Sequence, residues 1–287
     1  MKGAISMKKI AVIGLGLMGA SIAKAYKKNG GYTIYAYDKD PSVLSFSKIS
    51  ETADETLTDE NIGECETVFI ALYPKDAINF LESKAKLINK NALVIDTCGT
   101  KRKVCEKGFE SAEKYGFTFA GGHPMAGVQF SGIKYSRADM FEDASMIIVP
   151  KAYDDITLFE KIKKALEPLK LRKITITTAE EHDKIIAYTS QLAHVVSSAY
   201  IKSPTSKKQN GFCGGSFRDM TRVATLNANM WTQLFLENKE NLSTEIGNII
   251  EELAKFKKAI DDDNDEYLYS LLCEGNKCKQ ESEENNK

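Results

Sequence analysis

Lys8-Lys-Ile-Ala-Val-Ile-Gly14-Leu-Gly16-Leu-Met-Gly19-Ala-Ser-Ile-Ala-Lys-Ala-Tyr-Lys-Lys28 is the stretch that decides the fold. Lys8–Ile13 is a short apolar run that stops at glycine, and residues 20–28 repeat apolar side chains at helical spacing, so the segment reads as strand, turn and helix. Within that turn Gly14, Gly16 and Gly19 form a GxGxxG pattern, and Asp38 follows nineteen residues after Gly19 at the end of a second apolar run, Tyr32–Tyr37. The pattern alone is common; strand before it, helix after it and a carboxylate at that distance make it a dinucleotide site. Gly14 permits the tight turn, Gly16 lets backbone approach a pyrophosphate, and Gly19 lets helix and strand pack closely. Leu17 and Met18 open the helix whose N-terminus faces the phosphates. Asp38 is expected to bind the ribose 2′-hydroxyl and to repel a 2′-phosphate, which favours NAD over NADP, with Lys39 beside it working the other way.

Outward from this segment, strands are predicted at Tyr32–Tyr37, Thr67–Leu72, Ala92–Asp96, Phe117–Ala120, Ser145–Val149 and Lys173–Thr177, with helices at Pro74–Lys86, Lys101–Tyr115 and Asp155–Leu166 between them. Such alternation implies right-handed crossovers and a largely parallel sheet. Thr178-Ala-Glu-Glu181 reads as a capping box, and from there to about Tyr269 the pattern is helical throughout. The fold class expected is α/β: an N-terminal doubly wound Rossmann-type domain over residues 1–178, then an all-α C-terminal domain over 179–287 ending in a polar tail from Gly275.

The bulk properties narrow the function classes. A chain of 287 residues with 39 Lys+Arg against 40 Asp+Glu has a formal charge of −1, which argues against a broad basic face for nucleic acid. Its apolar stretches are too short and too glycine-broken to span a bilayer, and residues 1–9 do not read as a secretory signal. Six cysteines without a CxxC and three histidines spread over some seventy residues suggest reduced thiols in a cytoplasmic protein and no metal cluster.

In a doubly wound sheet, ligands gather at the carboxyl ends of the strands. That places the glycine turn, Asp38, Tyr73-Pro74, Thr97-Cys-Gly-Thr100 and the glycine-rich loop Gly121-Gly-His-Pro124 along one crevice, with Tyr73 and Pro74 counted among the cofactor contacts. His123 is then a titratable group beside a hydride acceptor, where a base with a pKa near neutrality is useful. On a helix from Ala179 to Ile201, His182 and His194 point about 120° apart and lie about 18 Å apart along the axis, so they cannot share one small ligand. His182, in the first turn, reads as a capping or surface residue; His194, among small and apolar residues, reads equally as a core or a site residue. Arg218 and Arg222, one turn apart after Gly214-Gly215, suit a substrate carboxylate or an ion pair with Asp219. Leu242, Ile246, Ile249, Leu253, Phe256 and Ile260 step by 4, 3, 4, 3 and 4, a heptad seam that fits internal packing or a second copy.

Taken together, Gly14–Gly19, Asp96–Lys101, Gly121-Gly-His-Pro-Met-Ala-Gly127, His182-Asp183, His194 and Phe217–Arg222 followed by Trp231 resemble the prephenate dehydrogenases (the TyrA family), from about Lys8 to about Tyr269. The resemblance implies NAD-dependent oxidative decarboxylation of prephenate to 4-hydroxyphenylpyruvate in tyrosine biosynthesis, and a homodimer built through the helical domain. It makes His123 the catalytic histidine, Arg222 the substrate-binding arginine, His194 the second site histidine, Asp219 the acidic partner gating that arginine and Trp231 an aromatic wall. Two positions depart from the pattern. Gly99 stands where many members have a serine that bonds the catalytic histidine, so Thr100 or a water is expected to take that task, and Gln191 replaces a frequent histidine. Competing readings are an arogenate or cyclohexadienyl dehydrogenase, a β-hydroxyacid dehydrogenase using Lys184, and a non-catalytic NAD-binding dimeric sensor.

Overall fold

The computed structural model describes residues 7–128 and 130–284. Eight strands form one sheet in the order β3-β2-β1-β4-β5-β6-β7-β8. They are β1 (Lys8–Ile13), β2 (Tyr32–Tyr37), β3 (Glu55–Thr56), β4 (Thr67–Ile70), β5 (Leu93–Asp96), β6 (Thr118–Met125), β7 (Ser145–Pro150) and β8 (Lys173–Ile176). All neighbours pair parallel except β6 and β7. The crossovers are α1 (Leu17–Asn29), α2 (Pro41–Ile49), α3 (Pro74–Lys84), α4 (Arg102–Tyr115) and α5 (Ile156–Leu166). Strand order reverses between β1 and β4, the switch point at which such sheets open a ligand crevice.

The central strands are buried on both faces, as their unbroken apolar character requires: β4 and β5 have no exposed residue, while the edge strands β3 and β8 are partly exposed. One core packs Tyr26, Ile34, Phe69 and Phe141 on one side of the sheet; the other packs Val68, Leu81, Val94 and Phe119 on the opposite side. The doubly wound architecture expected from the sequence is the one formed, with α2 and the two-residue edge strand β3 as additions the apolar pattern does not announce.

One element differs in a way that matters for the site. Gly121–Pro124, expected as a loop, continues β6, because β7 runs antiparallel beside it with Gly121 opposite Val149 and His123 opposite Ile147. The glycines are there for close approach. A Cβ on Gly121 would strike the Cys105 Sγ of α4, and one on Gly122 would meet the Asp96 carbonyl at 2.5 Å and Ile95 Cγ2 at 2.7 Å. His123 therefore sits on a strand whose backbone is wedged between β5, β7 and a helix.

Beyond the sheet come α6 (Ala179–Ile186), a π-helical turn at Ala187–Leu192, α7 (Ala193–Tyr200), α8 (Gly215–Thr221), α9 (Ala228–Glu237), α10 (Lys239–Asp261) and α11 (Asp265–Glu284). The single helix expected over 179–201 is thus interrupted by a wider turn, a feature that concentrates at functional sites. Thr178 caps α6 by accepting the Glu181 N–H, as the capping box predicts. By compactness the chain divides into residues 1–238 and residues 239–287. In the second unit only Leu242, Ala259 and Leu271 are buried among the described residues, while Leu253 and Ile260 of the heptad seam and Tyr269 and Leu272 of α11 are exposed. No described helix is long and apolar enough to cross a membrane.

Candidate active site

The glycine turn has the shape its sequence implies. Gly14 adopts φ +91°, and a side chain there or at Gly19 would run into the Ala71 carbonyl or into the turn itself, whereas a Cβ on Gly16 would meet nothing within 4 Å. The open space lies at the N-terminus of α1, whose cap carries no side-chain hydrogen bond, the arrangement that receives a pyrophosphate. Asp38, just past β2, accepts the Leu15 N–H at 2.8 Å on one oxygen and the Asp40 N–H at 3.0 Å on the other. These bonds fix the carboxylate at the rim of the crevice, where it suits a ribose diol. Tyr73, two residues after the Ala71 carbonyl that Gly14 abuts, stands at the N-cap position of α3 without a side-chain capping bond, and Pro74 occupies its first turn. Met18, at the start of α1, lies against Gly127 of the segment after β6. The residues present fit a dinucleotide.

At the ends of β5 and β6 a buried ion pair holds the backbone beneath His123. Lys101 Nζ donates to Asp96 Oδ2 and, at 2.7 Å, to the Gly122 carbonyl. Asp96 in turn accepts the Cys98 N–H at 2.8 Å and the Gly122 N–H at 3.1 Å. Every polar group of this cluster is satisfied, which a fully buried charge pair requires. The pair clips the β5–α4 loop to β6 one residue before the histidine.

His123 itself is half-buried, and its Nδ1 lies 2.9 Å from Nε2 of His182. His182 Nδ1 lies 2.8 Å from Asp183 Oδ1. Asp183 also accepts the backbone N–H groups of Lys101 at 2.6 Å and Arg102 at 3.0 Å, and the Arg102 guanidinium at 3.3 Å. The carboxylate thereby caps α4 from α6, satisfying donors that its own N-terminus leaves open. This corrects the reading of His182 as a capping or surface residue: it is 1% exposed and stands behind His123. The cue in the sequence is the dipeptide itself, a carboxylate next to a histidine in the first turn of a helix.

The charges follow from these contacts. Burial pushes the His123 imidazole well below its ordinary pKa of 6.5, with His182 and the Lys101 ammonium adding to the effect. The imidazole expected to titrate near neutrality from its place at the carboxyl end of a strand is therefore neutral over a wider range. Burial also lowers His182, partly offset by its bond to Asp183. For Asp183 burial works upward, but the bonds from His182, Arg102 and Lys101 outweigh it, and the carboxyl sits below its usual range.

Thr100 does not take the place of the missing serine. Its hydroxyl donates to Glu237 at 2.7 Å, and Glu237 also accepts from Gln233 at 3.1 Å. The reason lies at Gly99, where a Cβ would meet Leu234 of α9 at 3.3 Å: α9 packs against this loop and draws the Thr100 hydroxyl to its own end. Gln191, in the π turn, donates to the Leu234 carbonyl at 3.2 Å and accepts from Asn238 at 2.9 Å. Its role is to pin α9, and neither Glu237 nor Asn238 is marked by any motif.

A second group of side chains forms between α7, α8 and α9. The His194 ring lies 4.0 Å from Trp231 and its Nδ1 is 3.1 Å from the Val223 carbonyl; burial and the nearby Arg222 lower its pKa. Arg222, exposed just after α8, makes no ion pair among the described residues, and Asp219, expected to gate it, makes none either. The guanidinium is thus available to an anion. His182 and His194 serve different groups, as their spacing requires, and α9 joins the two through Trp231 at one end and Leu234, Glu237 and Asn238 at the other.

Against known proteins, residues 22–175 match the family model for the prephenate dehydrogenase nucleotide-binding domain, and residues 178–274 the one for the prephenate dehydrogenase dimerization domain. The chain belongs to the prephenate dehydrogenase family. Prephenate dehydrogenase of Bacillus subtilis is 30% identical over 272 residues, spanning 91% of this chain and 72% of the relative. Cyclohexadienyl dehydrogenase of Zymomonas mobilis is 28% identical, spanning 95% of each. Among solved structures, prephenate dehydrogenase from Aquifex aeolicus, in complex with hydroxyphenyl propionate and NAD+, superposes with a TM-score of 0.83 at 26% identity over 97% of this chain and 99% of that one.

Proposed function

We propose that this chain oxidises and decarboxylates prephenate with NAD, and that His123 is the base. The observation that carries the reading is His123 at the carboxyl edge of the sheet, half-buried, with one ring nitrogen engaged by His182 and Nε2 left for a substrate hydroxyl. A nicotinamide bound beside it supplies the acceptor for the hydride on the ring carbon that bears that hydroxyl. His123 Nε2 takes the hydroxyl proton as the carbon–oxygen bond becomes a carbonyl. Loss of the ring carboxylate as carbon dioxide then returns the electron pair to the ring, which becomes aromatic, and the new phenolate oxygen takes back the proton. Lys101 and Asp96 keep the strand under His123 in place. Arg222 holds a substrate carboxylate, His194 and Trp231 wall the ring, and Asp38 favours NAD over NADP.

Residues 1–178 form the nucleotide half in this reading, and the helices from 179 onward supply the anchors and the interface. A homodimer through the 239–284 hairpin is supported by its exposed apolar seam and by the description of the matching family domain. Lys184, the base a β-hydroxyacid dehydrogenase would need, is exposed on α6.

The test is a spectrophotometric assay of NAD reduction with prephenate and, separately, arogenate. His123→Asn should lower kcat by roughly 10²- to 10⁴-fold with KM nearly unchanged. Arg222→Ala should raise KM roughly ten- to a hundred-fold, since a charge-assisted bond contributes about 1.5–3 kcal/mol. Near-normal turnover in the histidine variant overturns the assignment of the base. Turnover of arogenate alone would move the chain to the substrate of an arogenate dehydrogenase.

A further inference from the structure

In place of the serine that Gly99 lacks, we infer that His182 and Asp183 act as positioning residues that hold His123 in the one tautomer able to accept a proton from substrate. The inference rests on His123 being the base, and the geometry leaves little freedom in how the protons are arranged. An ionised carboxylate only accepts, so the proton between His182 and Asp183 lies on His182 Nδ1. A neutral His182 then has a lone pair on Nε2, and the 2.9 Å contact with His123 becomes a bond only if His123 Nδ1 donates. With its proton on Nδ1, neutral His123 presents a lone pair at Nε2. The direction of the chain is set at its far end, where Asp183 is fixed by two backbone N–H groups at the start of α4 and by the Arg102 guanidinium.

The arrangement performs the two tasks that a carboxylate behind a histidine performs in other general-base sites: it selects the tautomer and stabilises the imidazolium once the proton has been taken. Here a second imidazole relays the effect, extending the reach of the carboxylate from α6 to β6. Charged groups on the neighbouring elements are already committed, Lys101 of the β5–α4 loop to Asp96 of β5 and Arg102 of α4 to Asp183. No other carboxylate contacts either ring among the described residues.

The chain has three histidines, so the tautomers can be read directly from nitrogen-15 spectra, with assignment by single substitutions. In the unmodified protein at neutral pH, His123 and His182 should both appear as neutral rings protonated on Nδ1. His182→Leu, which breaks the relay, should lower kcat about 10²-fold or more, leave NAD affinity within about two-fold, and move the His123 proton to Nε2 in part of the population. His182→Gln places an amide oxygen near the lost Nε2 and should recover much of the turnover. Spectra showing His123 protonated on Nε2 in the unmodified protein overturn the inference, as does a His182→Leu variant that binds NAD and keeps kcat within three-fold. If His182→Leu fails to fold, the unmodified spectrum still decides the question. A His123→Asn variant with normal turnover, by contrast, would remove the base and leave the tautomer measurement intact.

Discussion

Three imidazoles in one chain each engage a different kind of neighbour through Nδ1, at 2.8–3.1 Å. His194 gives its Nδ1 proton to a carbonyl, His182 to a carboxylate and His123 to another imidazole, and all three are lowered from the ordinary value of 6.5, first by burial. For the His123–His182 pair this has a consequence for stability. The native rings stay neutral over a pH range in which the unfolded chain has already taken up protons, so unfolding binds protons between the lowered native values and 6.5. Stability from this source is complete above 6.5 and is lost as pH falls through the native values. Denaturant midpoints should therefore drop from pH 7 to pH 5, and His182→Gln should flatten that drop by removing one of the two rings. A midpoint that rises on acidification over this range would contradict the burial assigned to the pair.

At the scale of elements, the site is held by a strand that has no room to move. Gly122 donates to Asp96, accepts from Lys101 and precedes His123, and a methyl group there would press on the Asp96 carbonyl, on Ile95 and on Met146 Cε at 2.8 Å. Gly122→Ala should cost roughly 1–3 kcal/mol in a urea melt, the range for overpacking, and should lower kcat more than that loss of stability alone would, because the shift is passed to the next residue. Equal stability and turnover in this variant would show that β6 is looser than its contacts indicate. The helix α9 plays a related part: it touches the loop after β5 at Leu234, so that it links the His194–Trp231 group to the start of α4 that Asp183 caps.

Considered as a whole molecule, the hairpin of α10 and α11 has too small a core to account for its apolar residues. Leu253 is 59% exposed and Ile260 60%, values that fit a face awaiting a second copy better than a free surface. Light scattering at micromolar concentration should give the mass of two chains of 31.9 kDa each. Leu253→Glu, nearly neutral on an exposed helix face of a monomer, should shift that mass toward one chain. A variant that stays dimeric would place the interface elsewhere.

The sequence by itself determined the doubly wound sheet and the dinucleotide turn, and it singled out His123 as the candidate base. Each of these is written in local chemistry: apolar runs of strand length, glycines at fixed spacing, a carboxylate one strand later, a histidine in a glycine-rich stretch. Thr100 or a water was expected to orient His123 in place of the missing serine, yet the Thr100 hydroxyl turns to Glu237. The histidine that does contact His123 comes from fifty-nine residues further along, on a helix whose capping box and His-Asp dipeptide do not say which strand it will face. Only the tertiary structure decided that pairing, because it depends on where α6 lands against α4 and how α9 fills the space at Gly99, and such packing is set by the whole core and not by any local run of residues.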